Sequence, residues 1–220
     1  MNNSNLPSIV CVLTLLLLAC SETNANLVPR QEEAIADQIE LGSQHLLNWG
    51  KGMDTQAVGR PLRKMVVESG SFEAMMLLDE MQSKLRAEYL DEFPNLVIDE
   101  TTSKRLDSDD PMEYLRTKSA GFNYSHQGDK EKAIEALIRE AWLMSSTALI
   151  QLKIVVIYQV EGWPSFDRRI IQFFKDYSKE GIPRGQFVYG TLLLHGLGVE
   201  KDVIEGNRLI EVSGIDSDNR

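Results

Sequence analysis

Carboxylates are the largest class of chemically able side chains in this 220-residue chain, with 33 Asp and Glu against 23 Lys and Arg and a formal net charge of −10. Glu68 with Glu73, or Asp79 with Glu80, has the residue types of a general acid and its partner carboxylate, the pair that cleaves glycosidic bonds. Their neighbours favour a plainer use. Glu80 has Lys84 one turn on, and Glu131 is followed by Glu135 and Arg139, the spacing of charges on a solvated helix face. His45, His126 and His195 are far apart and form no H-x-x-x-H or H-E-x-x-H spacing, and there is no C-x-x-C, so no metal and no cofactor is expected. His126 and His195 fall at helix ends, where an imidazole partners free carbonyls. The serines have no G-x-S-x-G context. Gly196 and Gly198 lie between helical stretches without a preceding strand, which argues against a phosphate cradle. A chain this acidic, lacking a Lys/Arg cluster, is not expected to bind nucleic acid.

The elements that must position these groups are helical. Ile35, Ile39, Leu46 and Trp49 recur at the spacing of one helix face, and Gly50-Lys51-Gly52 stops the run. Pro61 predicts the first turn of a short helix carrying Leu62, Met65 and Val66. After Ser69-Gly70-Ser71 comes a longer helix, with Phe72, Met75, Leu78, Met81 and Leu85 expected on one side and Met75, Met76 and Met81 in the core. No period-two alternation is sustained, so the fold class is all-α. Residues 91–110 are the least regular internal stretch, and Asp110-Pro111 restarts a helix. This divides the body into an N-terminal helical region, 32–110, and a second region, 111–217.

The second region carries a period. Ala133, Ile170 and Gly206 occupy one slot, 37 and 36 residues apart, each followed three and four residues on by Ala136-Leu137, Phe173-Phe174 and Leu209-Ile210. Ala148 and Gly185, 37 apart, align the first helices of two units. The stretch GQFVYGTLLLHGLGVEKD (185–202) places Gly190 as a small position within a helix, Gly196 and Gly198 at a turn, Val199 as an apolar plug and Asp202 at the next helix start. It resembles the Sel-one-like repeat, a relative of the tetratricopeptide repeat. Gly121, Tyr124, Gly128-Asp129 and Ala133 resemble the heart of a tetratricopeptide unit, with Glu140 where that pattern has alanine. The resemblance implies an α/α superhelical solenoid of stacked hairpins whose first helices line a concave binding face. On that face it places Lys118, Phe122 and Ser125.

At the N-terminus, Ile9–Ala19 is an apolar run too short to span a bilayer, as in the h-region of a secretory signal. It ends in Leu17-Leu18-Ala19-Cys20, which resembles the bacterial lipobox. That resemblance implies a signal peptide over 1–19, a lipid anchor on Cys20, a tether over 20–31 and, with Ser21 following, an address at the outer membrane facing the periplasm. The competing expectation is cleavage after Ala25, giving a soluble periplasmic or secreted protein. Cys11 and Cys20 are the only cysteines, so the mature body has no disulfide available. The functional expectation is a non-enzymatic scaffold of the cell envelope that binds an unidentified protein or peptide. An envelope hydrolase with acidic residues in the N-terminal helices, and a toxin-neutralising or secreted interaction protein, are the alternatives.

Overall fold

A computed structural model describes the chain over residues 35–50, 54–92, 121, 124–125 and 128–215. Among the described residues every regular element is helical: α1 (35–47), α2 (Thr55–Ser69), α3 (Phe72–Glu92), α4 (Lys130–Trp142), α5 (Ser146–Tyr158), α6 (Arg168–Lys179), α7 (Pro183–His195) and α8 (Val203–Ser213). The all-α expectation holds at that level. Of the irregular stretch expected over 91–110, residues 91 and 92 end α3; its remainder, the start at Asp110-Pro111 and the N-terminal signal lie outside the described residues. Six helices begin where a short polar side chain can hold a free amide: Asp54, Ser71, Asp129, Ser145, Asp167 and Asp202 each accept a backbone N–H two or three residues on.

Two expectations about the N-terminal helices are corrected. Pro61 does not open a short helix; it sits inside α2, which starts six residues earlier at Thr55, under the Asp54 cap. Packing outweighs the proline. Val58 and Gly59 are buried in those first turns, and a Cβ at Gly59 would stand 2.8 Å from the Trp142 carbonyl oxygen, so α2 lies hard against the end of α4. On α3, Leu78, Met81 and Leu85 are buried with Ala74, whereas Phe72 is 62% exposed and Met75 and Met76 are about half exposed. Each step of three residues falls about 60° short of a full turn, so a 72-75-78-81 series winds round the helix rather than staying on one side. Ala74 is instead buried in the cluster that holds Val58, Leu62 and Met65 of α2.

α2 packs on α3 and on α4, α4 on α5 and α6, α6 on α5 and α7, and α7 on α8. α4 is the shared wall of two cores. Ala133, Ala136 and Leu143 join a cluster with α1, α2 and α3, and Ile134, Leu137, Ala141 and Trp142 join one with α5, α6 and α7. The second cluster is dense in aromatic side chains, with Phe173 stacked on Tyr177 at 4.9 Å and edge-on to Phe174 and Trp142 at 5.1 and 4.8 Å.

The slots aligned by sequence have matching contacts. A Cβ at Gly190 would stand 2.8 Å from the carbonyl oxygen of Gly206 and 3.0 Å from Ile210 Cγ1. A Cβ at Gly121 would collide with Leu137 and stand 3.0 Å from the carbonyl oxygen of Ala133. Gly121 thus stands to Ala133 and Leu137 as Gly190 stands to Gly206 and Ile210. A Cβ at Gly185 would stand 2.7 Å from Tyr177 C and 2.8 Å from Ser178 N, so this glycine lies hard against the previous second helix. Glu140 is buried and accepts the Gly121 N–H at 3.4 Å, so a carboxylate takes the place of a small side chain beside the first unit's helix pair.

The turn between α7 and α8 needs its glycines for two reasons. Gly196 (φ 69°) and Gly198 (φ 67°) are left-handed, where a Cβ is strained. Gly198 also has no room, because a Cβ there would lie 2.6 Å from Ile171 Cδ1 and 2.7 Å from Phe166 Cβ. The long turn therefore folds back on the middle unit, with Leu197 and Val199 half-buried against its core.

Candidate interaction surfaces

α5, STALIQLKIVVIY, is apolar on nearly every side. Ser145 caps it, and Leu149, Leu152, Val155 and Val156 are buried inward. The opposite side exposes Ile150 (45%), Ile154 (41%) and Tyr158 (63%), four residues apart. An apolar stripe of that kind on a helix already saturated on its inner face is surface suited to another chain. Beside it the Lys153 ammonium lies 5.5 Å from the ring of Phe187 on α7. Neither α5 nor α7 contains an Asp or Glu, in a chain with 33 of them.

A second feature lies between the second helices. Residues of α4 and α6 line a groove of about 750 Å³, among them the apolar Ile138, Trp142 and Phe173 and the basic Arg139, Arg168 and Arg169. Glu135, Gln172 and Asp176 line it too, with Gln56 of α2. Arg169 is bound to Asp167 at 2.8 Å and to Glu131 at 2.7 Å. Burial pushes the Asp167 carboxyl up, but its hydrogen bonds from the Arg169 side chain and backbone outweigh that and hold it below the usual Asp range.

The joint between the two regions is Arg63, which the sequence reading did not single out. It is fully buried on α2. Its Nε donates to Glu180 Oε2 at 2.9 Å, Nη2 to Glu180 Oε1 at 3.0 Å, and Nη1 to the carbonyl of Trp142. The guanidinium lies over the Trp142 ring at 4.6 Å. Arg60, largely exposed, adds a bond to Glu180 at 3.1 Å. The Tyr177 hydroxyl nearby is buried without a hydrogen-bond partner among the described residues, and burial raises its pKa far above the ordinary phenol value. The sequence gives no signal that singles it out, since Arg60 and Lys64 flank Arg63 with the same charge.

Of the residues singled out from sequence, Cys20, Lys118, Phe122 and His126 lie outside the described residues. Ser125 is half-buried and occupied by α4, its Oγ and carbonyl accepting from Lys130 Nζ at 2.7 and 3.1 Å. Tyr124 is buried in the N-terminal core, with the Lys132 ammonium 5.6 Å from its ring. Gly128 (φ 85°) precedes the Asp129 cap, Ala133 is fully buried, and Asp202 accepts the Glu205 N–H at 3.0 Å. The carboxylate pairs form no enclosed site: Asp79 and Glu80 are exposed, Glu68 faces Lys64 at 3.9 Å, and Glu73 accepts from Ser71 Oγ. Among the described residues no three of His, Cys, Asp and Glu converge as metal ligands would, and no helix is long and apolar enough to cross a membrane. No protein-family model matches the chain, and no curated protein or solved structure matches it either.

Proposed function

We propose that this protein is a small helical-repeat scaffold, without catalytic activity, that holds an apolar segment of another protein against its first helices. The observation that carries it is the stripe of Ile150, Ile154 and Tyr158 on α5, next to the Lys153–Phe187 pair. Full burial of one such side chain contributes about 1.5–3 kcal/mol; with about half of each still exposed, covering the stripe would supply about 2–5 kcal/mol, a part of a micromolar contact before ordering costs. The recurring glycine contacts at Gly121 and Gly190 support stacked hairpins of the Sel-one-like or tetratricopeptide kind.

The address belongs to the same proposal: Leu17-Leu18-Ala19-Cys20 has the pattern of a lipid-anchor site, which would place the scaffold on the bacterial envelope, facing the periplasm. The test is cross-linking in envelope extract with wild type and with Ile150→Ser combined with Ile154→Ser. The wild type is expected to trap a defined partner that the double variant loses at unchanged thermal stability. Equal capture by both would sink the α5 assignment. Cys20→Ser is expected to move the protein from the membrane to the soluble fraction, and unchanged partitioning in detergent would refute the anchor.

A further inference from the structure

We propose that the first two turns of α3 are a second docking site, which takes a basic amphipathic helix of a partner protein. It belongs to the N-terminal region, which the α5 stripe leaves without a role. α3 turns one apolar face inward: Ala74, Leu78, Met81 and Leu85 are buried in one cluster with Leu46 of α1 and Leu62 of α2. At about 100° per residue, Phe72 and Met76 stand on the opposite side. They are 62% and 52% exposed, with Met75 beside them at 48%. Further along that outer side come Asp79 and Ser83, both exposed. The helix is thus apolar on two sides at its start and on one side afterwards. Three neighbouring large apolar side chains left in water mark a contact surface, unlike the scattered single exposures of any fold.

The charges around this patch are acidic and open. From Phe72 to Glu80, α3 carries Glu73, Asp79 and Glu80 and no Lys or Arg. Glu73 accepts from Ser71 Oγ at 3.3 Å and meets no cation. The side chains of Asp79 and Glu80 form neither an ion pair nor a hydrogen bond among the described residues, and Lys84, one turn beyond Glu80, does not close on it. Glu88, Glu131, Glu180 and Glu205 differ, since each is already paired with an arginine. Lysine or arginine side chains of a partner would therefore meet carboxylates that nothing described in this chain neutralises. An anionic membrane surface would be repelled by the same charges. Shape favours a helix. Phe72 with Met75 and Met76 lies at spacings of three and four, a ridge that the groove of another helix accepts. An extended segment would leave its backbone unpaired, because there is no sheet edge among the described residues. The unbranched methionines adapt to the apolar side chains they meet.

The probe is a fluorescein-labelled peptide, Lys-Leu-Ala-Lys-Leu-Leu-Lys-Lys-Leu-Ala-Lys-Leu-Leu-Lys, titrated with the full-length protein in mild detergent and followed by fluorescence anisotropy. Saturable binding is expected, weakened about fivefold or more by Phe72→Ser with Met76→Ser, and similarly by Glu80→Lys. All three residues are exposed, so these variants should keep the wild-type melting profile. Glu211→Lys controls for non-specific attraction: it makes the same change in net charge on the exposed side of α8 and should leave binding unchanged. Ile150→Ser with Ile154→Ser should also leave it unchanged, since α5 and α7 carry Lys153 and Arg184 and no carboxylate. This test and that of the α5 stripe therefore fail independently. The proposal is overturned by absence of saturable binding, by equal affinity of the Phe72 and Met76 double variant, or by Glu211→Lys weakening binding as much as Glu80→Lys. Equal affinity for the same peptide with glutamate in place of lysine, the behaviour of a plain apolar or lipid-facing surface, overturns it too.

Discussion

Replacing Arg63 with Met tests whether one buried side chain fastens the N-terminal helices to the rest. The substitution keeps much of the stem volume and removes five donors, three of which are engaged with Glu180 and the Trp142 carbonyl. Removing one partner of a buried ion pair typically costs about 3–5 kcal/mol, because the other charge is left uncompensated. Two features reduce that here: the Glu180 side chain keeps 18% of its exposure, and Arg60 still reaches it at 3.1 Å. The Trp142 carbonyl pulls the other way, since a buried acceptor without a donor costs about 1–3 kcal/mol. The balance is a loss of about 3 kcal/mol, a fall in Tm of about 6–12 °C for a body of this size. Urea and thermal unfolding followed by far-ultraviolet circular dichroism would measure it. Arg60→Ala is the internal control: 60% exposed, it should cost at most about 1 kcal/mol. Combining Arg63→Met with Glu180→Gln should recover part of the loss, because the stranded charge goes with its partner. If Arg63→Met cost no more than Arg60→Ala, the joint between α2 and the α4–α6 ends would not depend on this arginine.

Gly190→Ala should destabilise by about 1–3 kcal/mol in urea titration, because its methyl would meet the Gly206 carbonyl at 2.8 Å, and a neutral result would mean α7 and α8 do not cross there. Asp167→Asn should flatten the acid limb of stability. The Asp167 carboxyl has a folded pKa below its unfolded value, so its contribution is present above about pH 4 and is lost as pH falls through the lower folded value. An unchanged acid transition between about pH 4 and pH 2 would refute that. Asp202→Ala should cost about 1 kcal/mol by removing the acceptor of the Glu205 N–H, with protection of the first α8 amides in hydrogen exchange falling most.

The helical class, the Asp202 cap and the close-approach glycines Gly121 and Gly190 were legible because each is set by residue type within a few positions. The seam of α3 was misread because apolar residues at steps of three wind round the helix, and only the partner decides which are covered. The resemblance places Ser125 toward a binding face; only the folded chain shows that its hydroxyl accepts from Lys130 Nζ at 2.7 Å. The α5 stripe was not legible either, since its apolar residues continue all round and periodicity cannot say which side faces water.

By itself, the sequence determined local geometry: left-handed turns at Gly196 and Gly198, caps at Asp129, Asp167 and Asp202, and small residues where helices cross. Those constraints are steric and short-ranged, so residue types carry them. Only the tertiary structure decided that Arg63 meets Glu180, 117 positions away, that Pro61 stays inside a helix, and that α4 is shared by two cores. Each depends on which surfaces meet when desolvated, and that is fixed by the whole packing rather than by any stretch of chain.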